Sequence, residues 1–192
     1  MSSGFTRSEA LTVLHAKSDI DHRHGHERLE EDVVALFERF HAPLLRYLAS
    51  CGVPFPDGEE VIQEVFLSLF QHLQSGKSRE NLAGWLFRVA HNLALKRRHR
   101  IRRDFDARTG AAGENQAVDR QPTPEDQVVS AQAQQRLLAV VRALPEQDRR
   151  CLSLRAEGLR YREIAEILGM SLGAVSLSLS RSLARITRSA ER

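Results

Sequence analysis

At 192 residues the chain holds one ordinary domain or two small ones, and a 42% hydrophobic content is enough to pack a core. With 28% of residues charged, no signal-like apolar segment at the amino terminus and no run near the ~20 apolar residues of a membrane span, an inserted or exported chain is excluded and a cytoplasmic one expected. The net charge is only +3, and its distribution says more than its sum.

The charge is unevenly placed. Arg88 to Arg103 carries seven Lys or Arg and no acid, whereas Asp57 to Glu64 carries four acids and no base, which implies two surfaces with different partners. Cys51 and Cys151 stand alone, without CxxC or metal spacing, and read as buried, reduced thiols. No metal site, cofactor site, nucleophile triad or phosphate loop is visible, so an enzyme is not expected.

Residues 1–27 are weakly patterned. "TRSEALTVLHAK" suits a short helix with Thr6 and Glu9 as a capping box, and "DHRHGHE" reads as a solvated tail more readily than as a histidine metal site. From Leu29 a helical period sets in, with Val33, Leu36, Phe37, Phe40, Leu44 and Leu48 inward; Pro43 should kink or divide that helix. After "CGVPFPDG" a second helix is expected from about Glu59 to Leu73, with Ile62, Phe66, Leu69 and Leu73 on one stripe. A third follows the loop "QSGKSREN", from about Leu82 to Arg98, with Leu82, Leu86, Val89 and Leu93 inward.

Residues 104–124 lack a hydrophobic period and read as a flexible linker, closed by Thr123 as cap and Pro124 at the first position of the next helix. That helix should reach about Leu144. Another, started by Pro145 and stopped by Gly158, precedes "YREIAEILGMSLGAVSLSLSRSLARI". In that stretch Ala165 is small enough for two crossing helices, Gly169 suits the turn and Ser171 can cap the second helix. Ile164, Leu168, Met170, Leu172, Val175, Leu179 and Leu183 would share a core. This pattern is a helix-turn-helix, the competing reading being a helical hairpin used only for protein contact. The fold class is therefore all-α. An extension (1–27) leads into a first helical domain (28–103), and the linker (104–124) joins it to a second (125–192) that contains the helix-turn-helix.

Three surfaces stand out. On the second helix Glu60, Gln63, Glu64, Leu67 and Gln71 lie opposite the buried stripe; an acidic, amide-rich face is a poor DNA surface and suits either a protein partner or water. On the third, Trp85, Arg88, Asn92 and Lys96 share a side, and the basic run continues through Arg97 and Arg98. Such a mixture can stack or hydrogen-bond a single-stranded base while neutralising its phosphates. Trp85 reads equally as a core-edge residue, and the basic run alternatively as a solvated tail.

"GEEVIQEVFLSLFQHL", "NLAGWLFRVAHNLALKRRHR" and the whole of "LPEQDRRCLSLRAEGLRYREIAEILGMSLGAVSLSLSRSLARI", in this order across a poor linker, resemble the extracytoplasmic-function (group 4) sigma factors of the sigma-70 family, over about residues 30–192. The resemblance implies two helical domains that bridge core RNA polymerase and promoter DNA without catalysis of their own. It implies that Glu60, Gln63, Glu64, Leu67 and Gln71 bind the clamp helices of the largest polymerase subunit. Lys77, Asn81, Trp85, Arg88, Asn92, Lys96, Arg97 and Arg98 would serve the −10 element, the loop from Lys77 to Leu82 and Asn92 holding a flipped base. Ser171, Ala174, Ser176, Ser178, Arg181 and Arg185 would face the −35 element.

The chain departs from the family where Ala174, Ser176 and Ser178 replace the usual Thr, Lys and Arg, and where Arg160 replaces a small capping residue before Tyr161. Weak −35 binding is therefore expected, through serine hydroxyls and the helix amino terminus rather than bidentate guanine contacts. The resemblance leaves an anti-sigma partner open. The alternatives are a sigma-like regulatory protein whose last domain mainly docks a protein partner, and an ordinary dimeric regulator, which would need neither the acidic stripe nor the tether.

Overall fold

Apolar residues at three- and four-residue intervals underlie most of the helices. The structure, a computed structural model, describes the backbone of residues 7–109 and 128–190, and the side chains within 28–103 and 135–189. A first module holds α1 (Arg7–Ser50), α2 (Phe55–Gln74) and α3 (Leu82–Thr109); a second holds α4 (Val128–Arg142), α5 (Glu146–Ala156), α6 (Tyr161–Leu168) and α7 (Leu172–Ala190). No strand occurs among the described residues.

The helix bounds differ from the expected ones for local reasons. The α1 helix starts at Arg7 and runs through "DHRHGHE", so from there on the extension is helical rather than weakly ordered. Thr6 and the side chains of the three histidines lie outside the described residues. Pro43 sits inside α1 without dividing it. Leu44, Tyr47 and Leu48 directly after it are fully buried, and that packing outweighs the one lost backbone bond. The α2 helix starts earlier than expected because Pro54 is its N-cap and Pro56 falls in the first turn, where a missing N–H costs nothing.

Asn81 caps α3. Its backbone is left-handed (φ 51°) and its Oδ1 accepts the Gly84 N–H at 3.1 Å. A Cβ on Gly84 would come within 2.6 Å of Asn81 Nδ2, so the cap needs glycine there. At its other end α3 continues through 104–109, into the expected linker, because no breaker precedes Gly110. Residues 110–124, including the Thr123–Pro124 helix start, lie outside the described residues.

In the second module Gly169 is left-handed (φ 63°), and the Met170 N–H closes onto Ala165 O at 2.9 Å. The helices on either side meet at 104°, within the range of a helix-turn-helix. Ser171 caps α7 as expected, its Oγ accepting the Ala174 N–H at 3.2 Å. Arg160 cannot cap α6 with its side chain, since guanidinium has no acceptor. Instead the Glu163 carboxylate reaches back to accept the Arg160 N–H at 2.6 Å.

A buried polar pair lies inside the first module. The Tyr47 hydroxyl donates to His91 Nδ1 at 2.7 Å, with both side chains buried and Cys51 beside them. Burial, helped by the charge of Arg150, lowers the His91 pKa from 6.5 to about 4. Burial likewise pushes the Tyr47 phenol and the Cys51 thiol up. His91 is therefore neutral when folded and binds a proton only on unfolding. The sign follows: stability is fully present above about pH 6.5 and is lost as pH falls toward 4. The shift corresponds to about 3 kcal/mol. Denaturant titrations from neutral to acid pH should show this fall, and His91→Gln, which keeps an acceptor without titrating, should flatten it.

Candidate functional site

The five residues of the α2 stripe are all exposed, and Leu67, at its centre, is 60% exposed. Opposite them Val61, Ile62, Val65, Phe66, Leu69 and Leu73 are buried. A large apolar side chain held in water between amides and carboxylates suits a partner that covers it. The stripe is not electrostatically free at its start: Arg97 donates through Nε to Asp57 Oδ1 at 2.6 Å and through Nη2 to Glu60. Arg97, expected on the −10 face, is thus mostly withdrawn into an ion pair between α3 and α2.

Arg98, also expected on that face of α3, is likewise paired with a carboxylate, that of Glu146. Arg88, Asn92 and Lys96 are exposed on one side, while Trp85 is half-buried and packs its ring against His72 at 4.7 Å. Both readings of Trp85 are accommodated by a residue with one flank in the core. Farther along, Lys96, His99, Arg100 and Arg103 line a shallow basic hollow suited to phosphates.

The α7 helix departs most from expectation. Its inward stripe is Val175, Ser178, Leu179 and Ser182, and Leu172 and Leu183, expected in the core, are 48% and 55% exposed. Leu172 sits in the opening turn, and small serines at 178 and 182 let α7 approach α5 closely enough to leave Leu183 outside. Ser178 is consequently not a −35-facing residue: it is buried, and its Oγ donates to Asp148 Oδ1 at 2.7 Å. Arg181 Nη2 bonds the same oxygen at 3.1 Å, and Ser182 Oγ donates to Ser178 O at 2.9 Å. Ser171, Ser176 and Arg185 are exposed and Ala174 is half-exposed. Asp148, a buried acid satisfied by two donors, escaped the sequence reading. The signal was there, since 175, 178, 179 and 182 repeat at helical spacing once serine is admitted as a core residue.

The two modules are not separate, as the expected tether implied. The α5 helix packs on α1 and α6 on α3. Arg46 forks onto Glu157, with Nε and Nη2 both 2.8 Å from its carboxylate oxygens. Arg88 reaches Glu166 at 2.6 Å, Arg98 bonds Glu146, and Arg149 Nε donates to Ser50 O at 3.0 Å. Burial opposes ionisation of Glu146, but the bond from Arg98 and the neighbouring charges of Arg150, Arg98 and Arg149 hold its carboxyl below the usual range. Exposed pairs of this kind contribute roughly 0–1 kcal/mol each. Against them, Arg150 Nε is buried without a hydrogen-bond partner, which costs on the order of 1–3 kcal/mol.

Both thiols are buried, as expected. Among the described residues no group of three or more His, Cys, Asp or Glu gathers as a metal site, and no single helix is long and apolar enough to cross a membrane.

Comparison with known proteins agrees with this arrangement. The chain matches the Sigma-70 region 2 family over residues 36–104 and the Sigma-70, region 4 family over residues 134–186. It is 31% identical over 131 residues to the probable RNA polymerase sigma factor RfaY of Xanthomonas campestris pv. campestris, covering 67% of this chain and 32% of that one. It is 30% identical over 142 residues to the ECF RNA polymerase sigma-E factor of Escherichia coli (strain K12), covering 70% of this chain and 74% of the relative. The fold is similar to that of the sigma factor RpoE from Bartonella quintana, solved in complex with the anti-sigma factor NepR. The TM-score is 0.58 at 19% identity, over 82% of this chain and 97% of that one. With its two regions in order, a relative matched over most of its length and the helical fold in common, the chain belongs to the extracytoplasmic-function sigma factors of the sigma-70 family.

Proposed function

We propose that the α2 stripe docks on core RNA polymerase, that the exposed side of α3 and the loop before it take the −10 element, and that the helix-turn-helix approaches the −35 element. The observation that carries this is the pairing of surfaces on adjacent helices. Glu60, Gln63, Glu64, Leu67 and Gln71 form a wholly exposed acidic and amide face, while Arg88, Asn92 and Lys96 form a cationic one beside a half-buried Trp85. The first suits protein, the second a single-stranded base with its phosphates. An anti-sigma factor, the kind of partner seen bound to the Bartonella relative, is an expected regulator. Promoter-dependent transcripts should appear when the purified chain is added to core polymerase with a library of genomic promoters. Transcription that is the same with and without the chain ends this reading.

A second reading is favoured by α7, which exposes Leu172, Leu177 and Leu183 and few cations: its main contact would be a protein. Holoenzyme that transcribes equally well from promoters with and without an intact −35 element would support it.

A further inference from the structure

The histidines of "DHRHGHE" belong to none of the surfaces assigned above, and the helix they lie on changes what they can do. In an extended chain His22, His24 and His26 would share a side. In α1, which runs from Arg7 to Ser50, His22 and His26 are about one turn apart on one face and His24 falls on the opposite one. Asp19 precedes His22 by three residues and His15 precedes Asp19 by four, so both join the face of His22 and His26. This stripe is the backward continuation of an apolar one. Leu29, Val33, Leu36 and Phe40 pack in the first module at four- and three-residue spacing, and the same spacing carried toward the amino terminus meets His26, His22, Asp19 and His15. Metal-ligating residue types thus stand at four successive positions where a bundle helix would carry hydrophobes. A merely solvated face requires no such selection.

We propose that Asp19, His22 and His26, placed together on one face of α1, bind a divalent late first-row transition metal, with His15 extending the site by a turn. Residues at this spacing have Cβ atoms about 5–6 Å apart, within reach of two imidazoles coordinating one ion at about 2 Å. Imidazoles with a carboxylate suit Zn2+, Ni2+ or Cu2+, whereas Mg2+ and Ca2+ favour all-oxygen sets. Three ligands from a single helix leave further coordination positions to water. The His22–His26 chelate spans Gly25, a poor helix former, so the metal holds the turn that local propensity holds least. The site is independent of which faces meet polymerase or DNA.

Ni2+ titrated into the full chain at neutral pH, followed by isothermal calorimetry, tests this. The wild type should bind one Ni2+ saturably. His22→Ala and His26→Ala should each abolish that binding, and His24→Ala should leave it unchanged, since alanine preserves the helix in every case. Moving one ligand checks the register. His26→Ala with Gly25→His keeps a pair three residues apart and should retain binding, whereas His26→Ala with Glu27→His sets the pair five apart and should lose it. Absence of saturable binding by the wild type, or binding that survives both His22→Ala and His26→Ala, overturns the site. A loss with His24→Ala as large as with His22→Ala, or relocations that behave alike, overturns the helical register and the site with it.

Discussion

Leu67→Glu should weaken binding to core polymerase by about 10- to 100-fold while leaving helix content and unfolding midpoint unchanged. Leu67 is 60% exposed, so the folded free protein loses almost nothing when it is replaced. In the complex it would be the one large apolar side chain at the middle of a polar face. Buried central anchors of this kind carry most of an interface's energy, about 2 kcal/mol or more each, with amides and acids around them serving mainly to exclude water and set register. A carboxylate placed there would have to be desolvated without a designated partner. Glu60 is a poorer probe, because it also receives Arg97, and reversing its charge would disturb the α2–α3 pair as well as the stripe. Binding measured by fluorescence anisotropy with labelled protein checks the expectation; an affinity within twofold of wild type would show that polymerase does not cover this face.

The order of the helices and the approximate bounds of α5 to α7 were legible because the apolar period of 3.6 marks them and no alternation competes with it; the single long α1 was not, since its first twenty residues lack that period. Legible for the same reason was the α2 stripe: a strongly amphipathic helix shows its outward face as clearly as its inward one. The misplacement of Ser178 came from carrying the family's DNA-facing positions onto this helix by resemblance. Ser178 and Ser182 lie on the apolar stripe by spacing, and a hydroxyl can be buried where a backbone carbonyl or a carboxylate accepts its proton. Asp148 is one of two acids in the first turn of α5, and only the tertiary packing of α7 onto α5 shows why it is buried. The closure of the modules had no signature at all in the local pattern. Arg46 and Glu157 are 111 residues apart, and nothing in either neighbourhood announces a partner. Periodicity reports which face of a helix is inward, not which distant charges meet on the outward ones.

Burial of Ser178 changes what adding cations to α7 should do. Ser176 and Ser180 are exposed, whereas Ser178 is 1% exposed and bonded to Asp148. Ser178→Arg would force a guanidinium into the packed α5–α7 contact and displace Arg181 from the same carboxylate. Overpacking of this kind costs about 1–3 kcal/mol, visible as a lowered unfolding midpoint of the full chain. Ser176→Lys with Ser180→Lys, by contrast, places two cations on the solvent side of the helix whose amino terminus would approach phosphate. Each phosphate neutralised contributes about 0.9 to the slope of log affinity against log salt, so the pair should steepen it by one to two units and tighten binding at low salt. Titrating holoenzyme against a duplex limited to the −35 region, over a range of salt, separates the two outcomes. The native slope should be shallow, since Arg185 is an exposed cation whereas Arg181 shares its charge with Asp148. A steep native slope, unchanged by the two lysines, would place the DNA face elsewhere than on the outer side of α7. A Ser178→Arg chain as stable as the wild type would show that the α5–α7 contact is looser than the Ser178–Asp148 bond implies.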